Sequence, residues 1–248
     1  MQESLTRRSR DKKLGHKAFS FLGKRCRLCG NLLDCRDQVL DCCSTCLEGL
    51  PMRKKGFCPG CGQIYEAGKS NNYCSSCLVQ SRPWSSFAFY GPYEGFLRDL
   101  ILNFKFTNHI NLRAVLAAHL FESYKYHLGH KPLDLIVPVP LHKKRLAERG
   151  FNQSLELAKL LGDKLTRKVA SKALKRIRST PPQSALLRQQ RLLNLQGAIR
   201  ADKNLVQGKN ILLVDDICTT GTTLMVCAKN LLEAGCYDVQ VIVLARAY

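Results

Sequence analysis

The sequence predicts an α/β protein, a parallel sheet covered by helices with a small cysteine-rich module in front of it. Three observations carry this. Residues 133–140, 211–214 and 239–245 are nearly continuous apolar runs, as strands buried on both faces of a parallel sheet should be. Helical periodicity follows two of them: Leu155, Ala158, Leu161 and Leu165, then Leu224, Met225, Ala228, Leu231 and Leu232. Cysteines cluster as Cys-x-x-Cys pairs before any of these runs begins. The expected divisions are a basic segment 1–25, a double zinc ribbon 26–80 and an α/β domain 81–248.

Composition narrows the class. The 248 residues suffice for one α/β domain and a small module. The chain has 39 Lys and Arg against 19 Asp and Glu, a formal net charge of +20. Such an excess predicts attraction to a polyanion, nucleic acid above all. A solvated basic surface is the alternative. The basic N-terminus leads into no apolar stretch of a secretory signal, and no run approaches the roughly 18 apolar residues of a membrane span. A cytoplasmic location is therefore expected. Thirteen cysteines in a reducing compartment read as metal ligands rather than disulfides.

The pairs are Cys26/Cys29, Cys43/Cys46, Cys58/Cys61 and Cys74/Cys77. Thirteen residues separate the first two pairs and twelve the last two, a duplicated ribbon pattern. Two residues between thiolates make a knuckle that places both sulfurs on one tetrahedral ion. So short a segment has little core, and structural zinc would supply the missing folding free energy. Which knuckles share an ion stays open at this point, as does a redox dithiol. Cys35 and Cys42 are left over.

Trp84–Tyr90 alternates as a strand does. Phe96, Leu97, Leu100, Ile101 and Phe104 mark one helix face, and Val115, Leu116, His119, Leu120 and Tyr124 another. The aromatics read as core; with Arg98, Lys105 and Arg113, stacking on single-stranded bases is the alternative. His119, on the apolar face, reads as packed.

After the strand at 133–140 comes a basic turn with His142, Lys143, Lys144, Arg145 and Arg149. Asn152 or Ser154 would cap the following helix. Residues 141–200 carry 15 Lys and Arg against 3 acidic residues. Within them Lys175, Arg176, Arg178, Arg188 and Arg191 form a basic wing suited to single-stranded DNA. Pro181 and Pro182 would break any helix and leave a mobile tip.

The most informative stretch is 211–223, Ile-Leu-Leu-Val-Asp-Asp-Ile-Cys-Thr-Thr-Gly-Thr-Thr. Ligands of open α/β sheets bind beyond the carboxyl ends of strands. Helix N-terminal amides attract phosphate. Paired carboxylates repel phosphate but accept hydrogen bonds from a diol. Together these describe a sugar-phosphate site.

The segment resembles the phosphoribosyl pyrophosphate motif of type I phosphoribosyltransferases. The resemblance implies that Asp215 and Asp216 hold the ribose hydroxyls and that Thr219, Thr220, Gly221, Thr222 and Thr223 wrap the 5′-phosphate. It implies that the basic turn, His142 to Arg149, is the pyrophosphate loop, that Mg²⁺ accompanies the ligand, and that 167–200 is a flexible hood. The order of cysteine pairs, Pro138-Val-Pro140-Leu-His142, Arg149-Gly-Phe-Asn-Gln153, Arg188…Arg191…Asn194 and the Asp-Asp motif is similar to the ComF/GntX family over roughly 26–248. That family implies a competence and DNA-uptake role, with a helicase or translocase partner. Two further readings stand beside it: an active phosphoribosyltransferase of nucleotide metabolism, and a nucleotide-sensing regulator without chemistry. No residue stands out as a catalytic base.

Overall fold

The computed structural model describes residues 24–33, 42–65, 70–106, 112–178 and 197–247. The chain divides into two units, Met1–Leu47 and Glu48–Tyr248. In the first, an antiparallel bridge joins Arg25 to Leu32 around a tight turn. The short helix α1, Ser44–Glu48, begins there.

The second unit opens with a matching turn, bridged from Phe57 to Ile64, and a short helix α2, Ser75–Val79. Its body is a five-stranded, all-parallel sheet in the order β1-β7-β6-β2-β3. The strands are β1 (Ser86–Pro92), β2 (Leu135–Pro138), β3 (Lys168–Val169), β6 (Asn210–Cys218) and β7 (Asp238–Arg246). The long apolar strands take the middle, because only there are both faces covered. The edge strand β3 is two residues long and begins on a lysine, which limits pairing with other chains.

The helices α3 (Gly95–Phe106) and α4 (Leu112–His127) follow β1. α5 (Lys143–Arg149) and α6 (Gln153–Leu165) follow β2. α4 and α6 cover one face of the sheet. On the other face lies α8 (Thr222–Glu233), with a small hairpin of β4 (Leu174–Arg176) and β5 (Ile199–Ala201) against it. A short helix, α7 (Lys203–Val206), leads into β6. The core under α8 joins Val137, Ile211, Leu213, Val241 and Val243 to Leu224, Ala228 and Leu231. Phe57, from the cysteine-rich stretch, and Phe87 and Phe89 belong to the same core.

One expectation needs correction. The basic stretch after β2 is a helix, not a turn. The His142 imidazole accepts the Lys144 N–H at its start, and Gly150 ends it in the left-handed conformation. The aromatics Phe87, Phe89, Tyr90 and Phe104 are buried, in keeping with the core reading and not with stacking. The proposed mobile tip, with Pro181, Pro182, Arg188, Arg191 and Asn194, and the segment 1–23 lie outside the described residues, as does Cys35. Among the described residues no helix is long and apolar enough to cross a membrane.

Candidate functional site

β6 and β2 are neighbours and parallel, so the segments after them leave the same edge of the sheet. After β6 the chain turns through Thr219 and Thr220 to Gly221, which sits at φ +75° immediately before α8. A left-handed residue there suits glycine. The Thr220 and Thr222 hydroxyls lie 2.9 Å apart. Asp215, Cys218 and Thr219 to Thr223 line a small concavity at the N-terminus of α8. The dipole of α8 favours an anion there.

Both aspartates have partners that no local pattern could announce. The Ser154 hydroxyl donates to Asp215 Oδ1 at 2.7 Å, and the Asp216 amide donates to the same oxygen at 2.9 Å. Lys105 Nζ lies 2.8 Å from Asp216 Oδ2, with both side chains largely buried. Burial, and then the adjacent Asp216 carboxylate, push the Asp215 pKa up to about 7, against the opposing pull of Ser154 and Lys105. The two acids thus sit close enough that one of them resists ionisation.

The segment Arg149–Gln153 builds this arrangement. Asn152 caps α6 by accepting the Ser154 N–H at 3.1 Å, and its own amide donates to Val139 O at 3.1 Å. That ties the start of α6 to the end of β2 and leaves the Ser154 hydroxyl free to reach Asp215. Phe151 packs against Phe104, with ring centroids 5.4 Å apart, next to Lys105 on α3. The cap is therefore Asn152, and Ser154 serves Asp215.

Of the basic residues after β2, His142 is the helix cap, and Lys143 and Lys144 are exposed. Burial and the nearby Arg149 guanidinium lower the pKa of Arg145. Arg149 Nη1 donates to Gln153 Oε1 at 3.4 Å. On the hairpin, Lys175 and Arg178 are exposed. Arg176 turns inward; burial and Arg145 lower its pKa, while Cys227 and Asp215 oppose that. Arg145, Arg149 and Arg176 thus form a cationic group beside the aspartates, suited to a second anion. His119 is a packed residue, 4.5 Å from the Tyr90 ring, and burial pushes its pKa down to about 4. Cys218 is buried behind the loop, and burial pushes its thiol up to about 11.

The cysteine pairs assemble in chain order. Cys26, Cys29, Cys43 and Cys46 form one group and Cys58, Cys61, Cys74 and Cys77 another, with all sulfurs of a group within 4.8 Å of one another. Each group could hold a metal ion. The fit is geometric: Cys29 to Cys43 and Cys61 to Cys74 are both 3.7 Å between sulfurs. A tetrahedron with metal–sulfur bonds near 2.3 Å has edges of about 3.8 Å. Backbone amides already point at the sulfurs, Cys43 N at Cys26 Sγ and Cys74 N at Cys58 Sγ, each 3.3 Å. Burial disfavours these thiolates, but amide donors outweigh it and bring Cys26 down to about 6 and Cys58 to about 7. Thiolates, not thiols, bind metal.

The second group is joined to the sheet. Trp84 Nε1 donates to Gly60 O at 2.7 Å. Phe57 meets Phe89 edge to face at 5.0 Å. Arg82 donates from Nε to Cys77 Sγ at 3.4 Å and from Nη1 to Met225 Sδ at 3.3 Å. Arg246, on β7, donates from Nε to Cys61 O at 3.0 Å and from Nη1 to Cys218 O at 3.1 Å, with Thr219 O and Ala247 O as further acceptors. Lys105, Ser154, Arg82 and Arg246 are the residues that sequence reasoning did not assign to the site.

Comparison with known proteins agrees with this geometry. A phosphoribosyl transferase domain family matches residues 149–247. The DNA utilization protein YhgH of Salmonella typhi is 35% identical over 82% of this chain and 89% of its own length. Competence protein F of Haemophilus influenzae is 32% identical over 92% of this chain and all of its own length. Competence protein ComFC of Bacillus subtilis is 29% identical over 78% of each. Cysteine groups in front, the paired aspartates and threonine loop behind, and this extent of identity together place the chain in the ComF/GntX family.

Proposed function

We propose that this chain is a competence-related DNA-handling protein whose phosphoribosyltransferase-like domain binds phosphoribosyl pyrophosphate with Mg²⁺. The observation that carries the ligand is that Asp215, Asp216 and the Thr219–Thr223 loop end β6 beside β2, whose following helix α5 carries Arg145 and Arg149, while Arg176 of the hairpin lies within electrostatic reach of Arg145 and Asp215. The aspartates would receive the ribose hydroxyls, the loop amides the 5′-phosphate, and the arginines the pyrophosphate. The Mg²⁺ would neutralise part of the pyrophosphate charge. The two cysteine groups would carry zinc as a structural ion, since four thiolates leave no open coordination position. The net charge of +20 supports single-stranded DNA as the macromolecular partner, with Lys175 and Arg178 on its path. Names of relatives, competence protein F and DNA utilization protein, support the cellular role.

The arginines of α5, which follows the neighbouring strand β2, also favour turnover. A base nitrogen would attack the sugar C1′ as the C1′–O bond breaks, and pyrophosphate would leave toward Arg145 and Arg149. Pyrophosphate release with a panel of bases tests that step separately from binding.

The deciding measurement is calorimetric titration of phosphoribosyl pyrophosphate and Mg²⁺ into zinc-loaded protein, beside Asp215→Asn/Asp216→Asn. Binding is expected in the first and at least about tenfold weaker binding in the second, the effect of losing charged hydrogen-bond acceptors. Equal binding would overturn the assignment. The pH dependence sharpens it. With a folded pKa near 7, Asp215 gains its charge between pH 6 and 8 and becomes the better acceptor for hydroxyls. Affinity should therefore rise across that window. Phosphate groups on the ligand also titrate there, so the part due to Asp215 is what Asp215→Asn removes.

A further inference from the structure

We propose that Arg246 and Arg82 are positioning residues that set the phosphate loop from the second cysteine group, so that metal binding there and anion binding at the loop reinforce each other. The inference rests on the reading of the loop as a sugar-phosphate site and adds how that site is controlled.

Three observations carry it. Arg246 holds, with one guanidinium, the carbonyl of the metal-ligating residue Cys61 and the carbonyls of Cys218 and Thr219 at the base of the loop. Across a trans peptide the carbonyl and the following N–H point in opposite directions. Turning the Cys218 and Thr219 carbonyls toward Arg246 therefore aims the amides of Thr219 and Thr220 away from it. The same guanidinium neutralises carbonyl dipoles that would otherwise face an arriving phosphate. Arg82 makes the parallel connection at the far side of the loop. It bonds the Cys77 sulfur and the thioether of Met225 in the first turn of α8. Both ends of the loop are thus tied to one cysteine group.

Backbone bonds of the knuckle, Cys58 N to Gln63 O and Gly62 N to Cys58 O, each 2.8 Å, hold the Cys61 carbonyl, and an ion pinning the four thiolates would fix it further. Loss of the ion would loosen the Arg246 acceptor and with it the loop. A lysine at either position carries the charge but not the planar fork that spans two acceptors. Coupling of this kind is reciprocal: an ion that tightens ligand binding is itself retained more tightly when ligand is present, by the same factor.

The test uses zinc-loaded full-length protein, R246K and R82K. Phosphoribosyl pyrophosphate affinity is measured by calorimetry, and zinc release to a chromophoric chelator is timed with and without Mg²⁺ and phosphoribosyl pyrophosphate. C26S identifies the release phase of the first group. Expected are about tenfold weaker ligand binding in R246K, within the usual range of coupling between sites, and ligand-dependent slowing of the second group's release that is lost in R246K. Wild-type ligand affinity in R246K and R82K, or zinc release in the wild type that ligand leaves unchanged, would overturn the coupling while leaving the ligand assignment intact. No ligand binding to the wild type would overturn that assignment, and the coupling falls with it. Should R246K fail to fold, R82K and the wild-type release rates decide alone. A purely structural role for these arginines would not make zinc release depend on ligand.

Discussion

The two cysteine groups have almost the same spacing and are embedded differently. In the first, Cys29 is exposed and Cys43 and Cys46 are half-buried. Its hydrogen bonds include local ones, such as Arg25 Nη1 to Gly30 O at 3.1 Å. In the second, Cys58, Cys74 and Cys77 are buried, and the bonds from Trp84, Arg82 and Arg246 come from the α/β body. Duplication of a motif in sequence therefore says little about duplication of its task. The second group is a corner of a larger core that includes Phe57.

Removing a ligand from each group should break this comparison open most widely. C61S is expected to abolish or sharply lower the main thermal transition, because structural zinc in small sites contributes about 10–16 kcal/mol. C29S should leave that transition unchanged while zinc content falls from two ions to one. Equal loss in both variants would mean that the groups are energetically alike. Calorimetry with metal analysis reads both.

The equivalent glycines give a finer contrast. Gly30 and Gly62 each follow the second cysteine of a knuckle and sit at φ +77° and +70°. A Cβ on Gly30 meets nothing within 4 Å, whereas one on Gly62 falls 2.4 Å from Phe87 Cε1 and 2.9 Å from Cδ1. G30A should then cost only the left-handed penalty of about 1 kcal/mol. G62A carries that and the displacement of a buried ring, about 3 kcal/mol in all. Denaturant unfolding followed at the second unit should show the order G62A well below G30A; equal midpoints would remove the distinction.

W84F is the mildest of these changes. It deletes the bond to Gly60 O and keeps an aromatic ring, so a loss of about 1 kcal/mol is expected. A thermal midpoint unmoved within error would show that this tie contributes nothing to docking the second knuckle.

Legibility in the sequence followed the range of the signal. Buried parallel strands and amphipathic helices announce themselves within ten residues, so α8 and β7 emerged near their observed bounds, while β6 runs four residues past the expected 211–214, through the aspartates to Cys218. The knuckle spacing and the Asp-Asp-to-threonine loop were equally local. The two-residue β3 left no trace, and the β4–β5 hairpin was expected only through the family resemblance, since strands of two or three residues in a Lys/Arg-rich stretch show no period. α5 was hidden because seven residues with few apolar positions read as a charged turn. Lys105, Ser154, Arg82 and Arg246 were invisible for a different reason. Each acts on a partner brought near only by the fold; Ser154, for example, is 61 residues from Asp215 in the chain. Nothing in the vicinity of an arginine in sequence says which carbonyl it will find.

The ion pair between Lys105 and Asp216 has a consequence for selectivity. Lys105 already gives one of these acids a cation, so entry of the proposed sugar would be an exchange of partners and not an addition. A ligand with a full diol would replace what it displaces, and the released ammonium could turn to a phosphate oxygen. A sugar lacking one hydroxyl would leave an oxygen of the acid unfilled. On the proposed reading the lysine would act as a competitor that a ribose matches and a deoxyribose does not, a filter of use to a protein proposed to work beside DNA.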